Sequence, residues 1–102
     1  MRKGIVKKLI LHVLRDKGPM HPYGLIKAIE EMTFSTYRPS TGVIYPALES
    51  LIKEELVAVI IKGDRKLYKI TEKGKVAISL DRPIKEHIEK IMRTDLPYKE
   101  LS

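Results

Sequence analysis

The chain has 102 residues, with 20 lysines and arginines against 13 aspartates and glutamates, a net charge of +7 and no cysteine. That length fits one domain with a modest core, and the missing cysteines exclude both a disulfide framework and a thiolate metal site. No apolar run approaches the roughly 20 residues of a membrane span and no signal peptide precedes the first helix, so a soluble, cytoplasmic protein is expected.

A positive excess of this size points to an anionic partner, nucleic acid before a membrane surface. Asn, Gln and Cys are absent while Ile, Lys and Glu abound, a bias that suits a thermophile. A salt-laced thermophile surface explains the amount of charge but not its sign. His12, His21 and His87 fall outside any metal-ligand spacing, so no metal or other cofactor is expected. There is no Gly-rich phosphate loop, and no Ser and His stand in a nucleophile motif. Glu30-Glu31 and Glu54-Glu55 read as ordinary surface charge, and the chain is not expected to be an enzyme.

In chain order, "KGIVKKLILHVLRDKG" repeats Val6, Leu9, Ile10, Val13 and Leu14 at helical spacing until Gly18-Pro19 stops it. His12 lies beside that stripe and reads as structural. "HPYGLIKAIEEM" places His21 before Pro22, a favoured first-turn residue, and lines up Leu25, Ile26, Ile29 and Met32. "TFSTYRPS" is aperiodic and reads as a loop. A third helix follows, with Ser40 or Thr41 as its natural N-cap. Next, "LVAVIIK" and "RKLYKI" flank Gly63-Asp64, a two-residue hairpin signal. Closing the turn between Lys62 and Arg65 sets Val57 opposite Ile70 and Val59 opposite Tyr68 on the better core face. Ala58 with Lys69, Ile60 with Leu67, and Lys62 with Arg65 fall on the other face. Thr71 caps a helix through "EKGKVAISL", residues 72–80. After Asp81-Arg82-Pro83, "PIKEHIEKIMR" starts a last helix, and "TDLPYKELS" reads as a loose tail.

The fold class expected is therefore mostly α with a small β-hairpin: a winged helix-turn-helix over residues 1–80, plus a C-terminal helix and tail over 81–102. In such a layout the third helix reads DNA and the ribbon is the wing. In that third helix Pro46 deletes a backbone donor and crowds the carbonyl four residues back, which costs ~3 kcal/mol or more in a helix interior. On a wheel of about 100° per residue, Ile44, Leu48, Leu51, Ile52 and Glu55 share one side. Gly42, Pro46, Glu49, Ser50 and Lys53 share the other, with Tyr45 on the flank. Pro46 then faces outward and deprives only the outward Gly42 carbonyl. The alternative is a helix that starts later, at Val43, where the proline is free of penalty.

"RPSTGVIYPALESLIKEELV", residues 38–57, resembles the central motif of the PadR family of transcriptional regulators. "HPYGLIKAIEE" is similar to that family's His-Gly-Tyr-x-Ile helix start, with Pro22 in place of the usual glycine. "RKLYKITEKGK" is similar to its wing exit. The resemblance, running from about Leu9 to Lys75, implies a dimeric winged-helix repressor. Its dimer would rest largely on the C-terminal helix, and some relatives would take a small-molecule effector.

The candidate DNA-contacting residues are Tyr23 at the second helix start, and Arg38, Ser40, Thr41 and Gly42 leading into the third helix. Along that helix follow Tyr45, Pro46, Glu49 and Lys53. The wing adds Lys62, Arg65 and Lys66. The third helix offers no arginine and one lysine, so bidentate guanine reading is not available there. Ile84, Ile88, Ile91 and Met92 form a narrow apolar stripe on the last helix, the candidate dimer interface. The expected partners are double-stranded DNA and a second copy of the chain, with a small-molecule effector open and no membrane. Two alternatives stand beside the regulator: an architectural DNA-binding protein without sequence preference, and a winged helix used for protein contact.

Overall fold

The computed structural model describes residues 3–80. Its elements are α1 (Lys3–Lys17), α2 (Pro22–Met32), α3 (Thr41–Lys53), β1 (Val57–Lys62), β2 (Arg65–Ile70) and α4 (Glu72–Ala77). α1 is the centre of the molecule, because it packs against α2, α3, α4 and β2. Its expected stripe of Val6, Leu9, Ile10, Val13 and Leu14 is buried, and so are Leu11 and His12. A helix covered from several sides buries more than one stripe. His12 Nδ1 lies 3.0 Å from Arg15 Nη2, and since a guanidinium only donates, the imidazole nitrogen accepts.

Local signals hold the helix ends. His21 caps α2, its Nδ1 accepting from the Gly24 amide at 3.1 Å. Beyond α2, Phe34 and Ser35 take left-handed φ values of 54° and 63°. Their amides donate back to the Glu31 and Glu30 carbonyls. Thr33 Oγ1 then accepts from the Tyr37 amide at 3.2 Å, and buried Pro39 leads into α3.

The ribbon pairs antiparallel in the register read from its turn, Val57 opposite Ile70 through Lys62 opposite Arg65. Gly63, at the first central position of the turn, has φ 62°, the placement of a II′ turn that suits the twist of a hairpin. Val57, Tyr68 and Ile70 are buried on the core face, as expected of that side. Val59 is not. It is 40% exposed, because the helices underlie only the base of the ribbon. A feature without a sequence signal is the isolated bridge between Met20 and Tyr68: each amide donates to the other's carbonyl, at 3.1 and 2.9 Å. It ties the start of α2 to the outer edge of β2.

The helix expected through residue 80 stops at Ala77, with Ile78 as its C-cap. Ile78 is buried and ends the regular turns, while the Ser79 hydroxyl donates to the Val76 carbonyl at 2.8 Å. The last helix and tail expected over 81–102 lie outside the described residues. No helix among the described residues is long and apolar enough to cross a membrane.

Candidate nucleic-acid interface

α3 begins at Thr41 with Ser40 as N-cap, so the later start at Val43 does not occur and Pro46 stands inside the helix. Ile44, Ala47, Leu48 and Leu51 are buried, whereas Thr41, Gly42, Tyr45, Pro46, Glu49 and Lys53 are exposed. The Gly42 carbonyl lacks its usual donor, since Pro46 has no N–H, and it lies on this exposed arc. Gly42 itself is not demanded by the fold. A Cβ there would meet nothing nearer than Ser40 Oγ at 3.7 Å. The Ser40 hydroxyl makes no capping bond. The first-turn amides of Thr41 and Gly42 precede the intrahelical ladder, the arrangement that receives a phosphate at a helix start.

Two wheel placements fail. Ser50, assigned to the outward arc, is held from α1: Lys7 Nζ donates to its hydroxyl at 3.0 Å and pairs with Glu54 at 2.8 Å. Glu55, placed on the wheel beside the apolar stripe, lies beyond the helix with φ 63°. The helix closes there in a Schellman motif, with the Glu55 amide on Ile52 and the Leu56 amide on Leu51.

Arg38 leads into α3 with its guanidinium 2.8 Å from Glu30, so it stands in the loop as half of an exposed ion pair. Tyr23 is 64% exposed at the second position of α2, three residues past the bridge that fastens Met20 to β2. Tyr68, on the wing base, joins the two elements. Burial first, and then Tyr45 and Glu49 of α3, raise its phenol above the ordinary tyrosine range. At the tip Lys62 opposes Arg65, and Lys66 opposes Ile61. All three cations are exposed, and among the described residues none makes an ion pair. Lys73 and Lys75, nearer the base, pair with Glu55 at 3.6 Å and Glu72 at 3.1 Å.

The sequence reading missed the exposure of Ile61 and Val59, 64% and 40% on the wing face they share with Val57. The signal was the length of the β-branched run, which outlasts the core available to cover it. Ile84, Ile88, Ile91 and Met92 lie outside the described residues. No group of three or more His, Cys, Asp or Glu residues able to hold a metal occurs among the described ones.

Three helices, a two-stranded wing and a solvent-facing third helix define a winged-helix fold. The model of the transcriptional regulator PadR-like family matches residues 10–80, and the chain belongs to that family, whose members are transcriptional regulators and not enzymes. It is 38% identical over 87 residues to transcriptional regulator YqjI of Escherichia coli (strain K12), covering 84% of this chain and 42% of that protein. The chain thus spans about two fifths of the length of the curated relatives it matches. A PadR-like transcription factor from Bacteroides fragilis superposes with a TM-score of 0.68 at 27% identity, covering 92% of this chain and 93% of that one. Bacillus subtilis PadR in complex with operator DNA superposes with a TM-score of 0.64 at 27% identity, covering 79% and 49%.

Proposed function

We propose that the chain is a sequence-specific, DNA-binding transcriptional regulator of the cytoplasm, a repressor that acts as a homodimer. The observation that carries this reading is the pairing of an exposed α3 start with a wing tip of three cations that make no ion pair among the described residues. The helix start supplies free amides, hydroxyls and a small residue at Gly42 for close approach. Lys62, Arg65 and Lys66 supply the charge that draws phosphates and releases counterions. The Bacillus subtilis relative, which is in complex with operator DNA, supports the same assignment. Subunit pairing would rest on the stripe of Ile84, Ile88, Ile91 and Met92. Exposed Ile5 on α1 supports a contribution from the first helix.

One observation favours a second reading. The outward face of α3 holds acceptors, Glu49 and the Gly42 carbonyl, and a single lysine, which is thin for direct base reading. An architectural protein without sequence preference would need no more. Affinity for its own upstream DNA against random DNA, measured at two salt concentrations, separates the readings. A regulator prefers its own DNA by at least tenfold and keeps that preference as salt rises. Equal affinities with a steep salt dependence would establish the architectural role, and no DNA binding would leave protein contact. A monomer by sedimentation at micromolar concentration would remove the dimer.

A further inference from the structure

The hydrogen bonds that Met20 and Tyr68 exchange do not extend to the pair that would follow, Gly18 with Ile70. Gly18 instead closes α1, with φ 87° and its amide on the Leu14 carbonyl at 3.0 Å. Pro19 has no N–H to offer. The ladder gives way to a hollow of about 230 Å³ between the end of α1, the base of β2 and α4. Buried Leu14 and Ile70 line it with Gly18 and Pro19, and its charged residues are three cations, Arg15, Lys69 and Lys75. Alternation along β2 turns the amide and carbonyl of Ile70 the same way as those of Tyr68, away from β1 and toward this hollow. Neither has a hydrogen-bond partner among the described residues.

The cations have some local company. Arg15 places Nε 2.9 Å from Asp16 and Nη2 on His12, and Lys75 pairs with Glu72 at 3.1 Å. Neither acid lines the hollow, and pairs that reach solvent are worth little. Lys69 makes no ion pair among the described residues. Water can satisfy one amide and one carbonyl, but it offsets none of the charge. Hydrogen phosphate does both, with anionic oxygens for the cations and the amide and a P–OH for the carbonyl. We propose that this hollow binds a small free phosphate anion, held by Arg15, Lys69 and Lys75 around the backbone of Ile70. The site lies apart from the α3 start and the wing tip, and it does not depend on DNA binding. A bound anion takes up the ladder where Gly18 leaves it and so fastens the wing base to the end of α1.

The experiment is a titration with inorganic phosphate, followed at the Ile70 amide by NMR while sodium chloride holds the ionic strength constant. The Ile70 resonance should shift saturably, and its exchange with deuterium should slow when phosphate is bound. Lys69→Ala and Lys75→Ala should each weaken phosphate binding about five- to tenfold, the loss of one charge-assisted contact, and the double variant should abolish saturation. Both side chains are exposed, so melting temperatures without phosphate should hold. The proposal is overturned if the shift grows linearly without saturation, or survives the double variant, since phosphate would then only screen surface charge. It is equally overturned if Lys69→Ala leaves phosphate binding intact but weakens duplex DNA binding and lowers its salt slope by about 0.9. The hollow would then belong to the DNA-contacting surface.

Discussion

Gly74 shows how one residue decides the geometry of the wing base. A Cβ at that position would run into the Leu56 carbonyl oxygen and lie 2.6 Å from Ile70 Cγ1. The same junction holds Thr71, whose hydroxyl donates to the Glu55 carbonyl at 2.7 Å and accepts from the Gly74 amide at 3.0 Å. Gly74→Ala should therefore lower stability by about 1–3 kcal/mol, the usual range for overpacking, read from chemical denaturation. Glu55 presents the opposite case. It occupies the left-handed position of a Schellman motif, where glycine is preferred, and its pair with Lys73 is exposed and worth little. Glu55→Gly should raise stability by about 0.5–1 kcal/mol, since relief of the left-handed strain exceeds the added chain entropy. At this scale the cap at Thr71 was legible because it acts on the turn beside it. The conformation of Glu55 was not, because "EEL" carries no glycine to announce it.

At the scale of elements, α3 explains its own proline. Pro46 is exposed, and the carbonyl that it leaves without a donor, that of Gly42, is on the same arc. Pro46→Ala restores a hydrogen bond without touching the core. It should hold or raise the melting temperature, by up to about 3 kcal/mol of stability, while DNA affinity falls if the first turn is shaped for docking. A large loss of stability would show that the proline ring is part of the packing. The buried side of α3 could be read from spacing alone, yet Ser50 could not be placed. Only the position of α1 reveals that Lys7 reaches over to it. The ribbon teaches the same lesson: alternation named its core face, and only the extent of the helices shows that Val59 lies past the edge of that core.

At the scale of the whole molecule, an excess of +7 would act mainly through where it is left unpaired. Several cations away from the wing tip are engaged, Lys7 with Glu54, Arg38 with Glu30 and Lys73 with Glu55. Among the described residues the wing tip is not. Arg65→Ala and Lys66→Ala should each weaken binding across all DNA sequences and lower the slope of log affinity against log salt by about one unit. An unchanged slope in the double variant would show that the ribbon is not a DNA element. Fold order and family were legible because three short motifs fall in sequence along one domain. The charge division was not, since pairing across elements depends on the tertiary arrangement.

The bridge between Met20 and Tyr68 has a consequence for how the molecule breathes. Met20 stands in the helical half of the chain, between α1 and α2, but its amide is held only by the carbonyl of a wing residue. Its own carbonyl in turn receives the Tyr68 amide. Any fluctuation that lifts β2 away from its edge frees both protons at once. Deuterium should therefore enter at Met20 and Tyr68 with one common opening free energy, lower than that of the amides in the middle of α1. A Met20 amide that exchanged in step with α1 instead would mean that the bridge survives detachment of the wing.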